Sequence, residues 1–239
     1  MINRSAVKNY NKLIADLQKT VKTDRAFESL RESIIDLMAR GLIDTSTERA
    51  LYNDLKYLMV PISADLRRQV SVSYDDLMSA VNYYYSDLAD DLGRTHHKIR
   101  AIERVNATRI GNYSNRTLHR ITHAVREGLK QEFSAEQLGR LIKDKTEIAS
   151  YYAETLGRTQ VAGYGNACKM TKAAIGGIDH FEYVGFIRKT TRDFCRPMVG
   201  KIFSIHEIDS MRNNQIEPVR IYRGGYNCHH HWEPDIDYK

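Results

Sequence analysis

The sequence predicts a mainly α fold, with a long-helix N-terminal region followed by a small α+β C-terminal module. Three observations lead there. Apolar residues recur at steps of three and four through the first two thirds of the chain, the spacing that lines up side chains on one face of a helix. Helix breakers are segregated: Pro61 is the only proline before Pro197, Pro218 and Pro234, and nine of the 14 glycines follow residue 156. Beyond Gly177 the apolar period shortens to two, as in a half-buried strand. The expected division is a helical arm or bundle over 1–133, and a second region over 134–239 made of helices at 134–175 and an α+β module at 178–239.

Two helices are expected at 5–20 and 25–40, the second carrying Phe27, Leu30, Ile34, Leu37 and Met38 on one face and stopping at Gly41. Thr45, Ser46 and Glu48 open a third in capping-box fashion, and Pro61 ends or kinks it. From Ser73 a stripe of Leu77, Val81, Tyr84, Leu88 and Leu92 predicts a helix ending near Gly93, with the stripe packed in the core. In the next helix Leu118, Ile121, Val125 and Leu129 share a face, while Arg116, His119, Arg120, His123, Arg126 and Lys130 project to the other side. Ser134 and Gln137 form another capping box ahead of a short helix through Leu138, Leu141 and Ile142. A long helix then runs from about Thr146 to Gly176 and Gly177, with Gly157, Gly163 and Gly165 suggesting close packing. Strands are expected at 181–186, at Lys201 to Phe203 and at Val219 to Tyr222. A turn is expected at Thr190 to Asp193, a short helix capped by Ser204 and Glu207, a turn at Gly224 and Gly225, and an extended tail from Tyr226 to Trp232.

With 239 residues, 42% of them apolar and 28% charged, the chain can bury a core, which excludes disorder along its length. The formal charge of +6 excludes a histone-like polybasic protein. The first twenty residues carry charges throughout, and no apolar run approaches the ~18 residues of a membrane span, so neither an export signal nor a membrane partner is expected. Charge is unevenly placed. Residues 1–93 hold 12 basic and 14 acidic groups, residues 94–130 hold nine and two, and residues 131–239 hold 15 and 14. The middle segment also holds four of the nine histidines, so a polyanion would be met there. Tyr113 is almost its only aromatic, so contact with nucleic acid would be directed at phosphates and be indifferent to sequence.

Cys228, His229, His230 and His231 are consecutive. On an extended backbone Cys228 and His230 share a face, a C-x-H half-site for a metal. Cys195 supplies a third ligand and His206 or Asp193 a fourth, a donor set suited to tetrahedral zinc. A Cys195–Cys228 disulfide and plain packing of unligated side chains are the alternatives. A metal-dependent hydrolase or nuclease-like toxin would also need an open coordination position and a general base, for which Asp193 is the only candidate. No phosphate loop, complete dinucleotide fingerprint or nucleophile triad is present in the sequence, and no enzymatic activity is expected.

Four segments in order, FSAEQLGRLI, YYAETLGRTQVAGYGNA, FEYVGFIRKTTRDFCRPMVGKIFSI and YNCHHHWEP, carry a resemblance to the phage Mu F-like minor head protein family over roughly the last 105 residues. The matching positions are Arg158 and Thr159, Asp193 and Cys195, Gly200 and Lys201, and Asn227, Cys228 and His230. Gln160 stands where the family usually has Glu, and His230 replaces the second cysteine of the commonest ending. The resemblance implies a structural protein of the phage head, present in several copies in the virion near the portal vertex. Its partners would be the portal protein, other head proteins and the backbone of packaged DNA, and it would assist head assembly and DNA packaging or delivery. A stand-alone, sequence-neutral DNA-binding module is the remaining alternative.

Overall fold

A computed structural model describes residues 4–93 and 96–236; residues 94 and 95, which begin the basic segment, lie outside the described residues. The chain forms α1 (Arg4–Thr20), α2 (Asp24–Ala39), α3 (Glu48–Tyr84), α4 (His97–Lys130), α5 (Ala135–Ile175), β1 (His180–Val184), β2 (Ile202–Ser204), α6 (Ile205–Ser210), α7 (Val219–Tyr222) and β3 (His231–Pro234). This is the mainly α architecture with a small C-terminal α+β module. No helix among the described residues is long and apolar enough to cross a membrane.

Helix ends follow local chemistry. Past α2, Gly41 takes φ +66° while its N–H bonds the Met38 carbonyl and that of Leu42 reaches back to Leu37, a Schellman closure that frees the chain to turn. Gly177, at φ +81°, does the same after α5. The boxes at Ser134/Gln137 and Ser204/Glu207 both form.

Four expectations are corrected. α3 is capped by Thr47, whose Oγ1 accepts from Ala50 N–H, and not by Thr45 or Ser46. Pro61 does not end it: α3 continues past the proline and stops at Tyr84, short of Gly93, where Asn82 pairs its side-chain amide with both backbone groups of Leu92 and so holds the returning chain. Of the expected stripe Leu77, Val81 and Leu92 are buried and Leu88 packs against the core, while Tyr85, fully buried, takes the place expected of Tyr84. α5 is one helix of 41 residues where a short and a long one were expected, since nothing between Ile142 and Thr146 breaks it. Val219 to Tyr222 form a helical turn after Pro218: β-branched residues favour strands, but Val219 and Tyr222, three apart, are the buried pair of a helical face.

The chain forms two compact units that do not follow the 133/134 boundary, because α3, α4 and α5 each contribute to both. One comprises 21–69 and 106–155. Its core takes Phe27, Leu30 and Ile34 from α2, Leu51, Leu55 and Met59 from α3, and Leu118, Ile121 and Val125 from α4. The other comprises 1–20, 70–105 and 156–239. There a Cβ on Gly165 would lie 2.8 Å from Ile14, and one on Gly163 2.8 Å from the Tyr222 ring, so both glycines mark close approaches to α5 as expected. Tyr74 stacks on Tyr164 at 3.9 Å, and Tyr10 donates to the Gly165 carbonyl.

The sheet of this unit has the order β2-β1-β3, antiparallel throughout, with Phe181 opposite both Phe203 and Pro234, and Tyr183 opposite Trp232. Phe181 and Tyr183 point inward and join Met170, Met198, Ile208, Val219 and Trp232 around two buried cysteines.

Candidate metal centre

Three segments bring the donors together. β1 carries Tyr183 inward. The turn after Arg192 closes with Cys195 N–H on the Arg192 carbonyl and turns Cys195 into the core. The chain leaving α7 passes through Arg223, Gly225 and Asn227, all at positive φ, before reaching Cys228 and His230 just ahead of β3.

Cys195 Sγ lies 3.9 Å from Cys228 Sγ, and Cys228 Sγ lies 3.6 Å from His230 Nδ1. Among the described His, Cys, Asp and Glu residues these three form the one group able to hold a metal, with donor atoms all within 4.8 Å of one another and all three residues buried. Cys228 and His230 share a face, as the two-residue period predicts. The thiols are free, and their separation is nearly twice the ~2.05 Å of a disulfide bond. Cys195 hydrogen-bonds to Cys228, which pulls the Cys228 thiol down toward thiolate; the same bond, reinforced by burial, pushes Cys195 up. Gly224 N–H donates to Cys228 Sγ at 3.3 Å, the contact a bound thiolate needs from its surroundings.

The cradle is tailored to these side chains. A Cβ on Gly224 would fall 2.1 Å from Cys195 Sγ, and one on Gly185 2.3 Å from the His230 ring. Neither glycine stood out in the sequence as part of a site, because each matters through a contact with a residue distant in the chain. Two soft sulfurs and an imidazole, buried together, fit a zinc-type ion. The separations agree: tetrahedral zinc places two sulfurs ~3.8 Å apart, and sulfur and nitrogen ~3.6 Å apart.

The expected fourth ligands do not arrive. His206 is exposed on α6, two residues and so ~200° around the helix from its buried Ile208. Asp193 is exposed on the turn before Cys195.

The residues that carry the family resemblance meet in this unit. Asn227 N–H donates to Thr159 Oγ1 at 3.0 Å, tying the terminal motif to α5, and the Arg158 carbonyl accepts from Gln18. Gly200, at φ +78°, donates to the Tyr183 carbonyl, and the Lys201 carbonyl accepts from Tyr183 N–H, continuing the β1 pairing beyond β2. Next to the centre, Lys169 is wholly buried and its Nζ lies 2.6 Å from Glu233, which also accepts from Asn11. Burial alone would push the Glu233 carboxyl up, but Lys169 and His231 outweigh it and hold it at about 2.

The predicted cationic face belongs to the other unit. Arg116, His119, Arg120, His123 and Lys130 are exposed on α4 and Arg126 half-buried, opposite the buried Leu118, Ile121 and Val125. Not all are equally available: Arg126 donates to the Thr45 carbonyl, Lys130 pairs with Glu127, and His119 stacks on Tyr52 at 4.4 Å. Arg120, His119 and His123 line a cleft of about 500 Å³ together with Lys145, Tyr113 and Tyr152. The aromatic content missing from α4 is thus partly supplied by Tyr152 of α5.

No family model, curated protein or solved structure matches this chain.

Proposed function

We propose that this chain is a structural minor head protein of a bacteriophage, of the Mu F-like kind, acting at the portal vertex in head assembly and DNA packaging or delivery. One observation carries the reading: of the positions matching the family motif, scattered over 73 residues of sequence, all but the exposed Asp193 and the half-buried Arg158 take part in one buried centre or in hydrogen bonds beside it. Thr159 meets Asn227, Lys201 meets Tyr183, and Cys195 meets Cys228 and His230. Such convergence is expected if the motif specifies a folded module rather than separate contacts.

The ion is zinc, in a structural role. Cys195, Cys228 and His230 would hold it, and bound there it would crosslink the turn after β1 to the start of β3, supplying folding free energy that a small three-stranded sheet otherwise lacks. Burial of every donor favours this over hydrolysis, which needs a position open to substrate and a general base within reach.

Coexpression with the portal protein of the same phage tests the assembly role: the chain should co-purify with the portal or enter proheads, and failure in both refutes it. Metal analysis with thiol counting tests the centre, with one equivalent of zinc expected per chain.

A further inference from the structure

We propose that Tyr183 is the fourth ligand of the centre, its phenolic Oη closing the tetrahedron begun by Cys195, Cys228 and His230; this rests on the zinc reading above. The first argument is metric. Tyr183 Oη lies 3.3 Å from Cys195 Sγ and 3.6 Å from Cys228 Sγ. With zinc–sulfur bonds of ~2.3 Å and zinc–oxygen bonds of ~2.0–2.2 Å, tetrahedral angles put sulfur and oxygen ~3.5 Å apart. Four of the six edges of a coordination tetrahedron with Oη at its remaining corner, 3.9 Å between the sulfurs, 3.6 Å from Cys228 sulfur to His230 Nδ1, and these two, are therefore close to the expected lengths.

The second argument is satisfaction. Tyr183 is wholly buried, and among the described residues its hydroxyl bonds only to the two sulfurs. A buried phenol ordinarily finds a carbonyl or carboxylate oxygen, and thiols are poor substitutes. An ion among these atoms removes the anomaly.

The third argument is positioning. The Tyr183 ring lies parallel to that of His230, centroids 5.4 Å apart, and packs on Trp232 at 4.6 Å. The antiparallel pairing of Tyr183 with Trp232 fixes its height in the sheet. The hydroxyl is thus held in place by the fold, as a ligand must be. The rival donors His206 and Asp193 remain exposed. When the ion enters, the Tyr183 O–H bond and the S–H bonds of Cys195 and Cys228 break, each electron pair forms a bond to the metal, and the protons pass to solvent.

The test uses the full chain, stripped with a chelator and titrated with Zn(II), wild type beside Tyr183→Phe. Ultraviolet difference spectra read ionisation of a phenol, and competition with a chromophoric chelator reads affinity. The wild type should bind one equivalent and gain the signal of one phenolate. Tyr183→Phe should lose that signal and bind roughly tenfold or more weakly, the scale of losses around metal ligands. Zinc uptake by the wild type with no phenolate signal overturns the assignment and leaves the zinc reading intact. No uptake by the wild type overturns both. Should the Phe variant fail to fold, as reported by Trp232 fluorescence, Tyr183→His restores a donor at the same corner and should bind zinc without the signal; persistence of the signal there overturns the assignment.

Discussion

Gly224 is the most constrained residue of the centre. Its absent Cβ would sit 2.1 Å from one sulfur and 3.1 Å from the other, so Gly224→Ala must displace backbone or cysteine. The variant should lose metal binding and destabilise the C-terminal module by about 1–3 kcal/mol, the usual cost of overfilling a packed site. Equilibrium unfolding followed by the single tryptophan, Trp232, which is buried in that module, measures it. Cys228→Ser should give the same Trp232 response while far-ultraviolet circular dichroism keeps its helical signal, because most helical residues lie outside the sheet module; simultaneous loss of both signals refutes the idea. At this scale the sequence was half legible. Cys228 and His230 are two apart, and a strand period aligns them without any tertiary knowledge. Cys195 followed from residue type alone. Tyr183, Gly185 and Gly224 were illegible as site residues, because a hydroxyl between two sulfurs or a missing methyl becomes visible only when segments 30 to 45 residues apart are brought together.

Elements were legible where a local rule decides them and obscure where a distant partner does. Gly41, Gly177 and the two capping boxes are decided within four or five residues and could be read directly. The end of α3 is decided by Asn82 holding Leu92, and no periodicity announces it. The start of α3 offers a direct test: Thr47→Ala should cost about 1 kcal/mol through loss of the cap, whereas Thr45→Ala should leave stability nearly unchanged. Equal losses in thermal melts would contradict the assignment. β3 depends on a further distant interaction, the buried pair of Glu233 with Lys169 on α5. Glu233→Gln strands the ammonium in the core and should cost about 3–5 kcal/mol, whereas replacing both residues by apolar ones of similar size should cost far less. The pair also predicts acid sensitivity. Glu233 is held at about 2 in the folded chain, below the ~4.3 of a free glutamate, so its stabilisation is complete above about pH 4.5 and fades as pH falls toward 2. Wild type should lose stability across that window and Glu233→Gln should lose less of it.

Across the whole molecule, charge and chemistry separate. The surplus of the sequence is concentrated between residues 94 and 130, and its exposed part from Arg116 onward lies in the unit built from 21–69 and 106–155, while the metal donors lie in the other unit. If packaged DNA is the polyanion met by this chain, the contact should involve Arg116, Arg120 and Lys145, which surround or flank the cleft carrying Tyr113 and Tyr152. Lys130, paired with Glu127, should matter less. Phosphate contact releases counterions, so the logarithm of affinity for duplex DNA should fall linearly with that of salt, by ~0.9 for each phosphate neutralised. Arg120→Gln should lower affinity equally for unrelated sequences and reduce the slope by about one, Lys130→Gln should change it less, and His230→Ala should leave it unchanged. A slope unaffected by Arg120→Gln would remove α4 from DNA contact. It would also leave the cationic face as the ordinary solvated side of an amphipathic helix, since the buried Leu118, Ile121 and Val125 require a polar opposite face whether or not a polyanion is present.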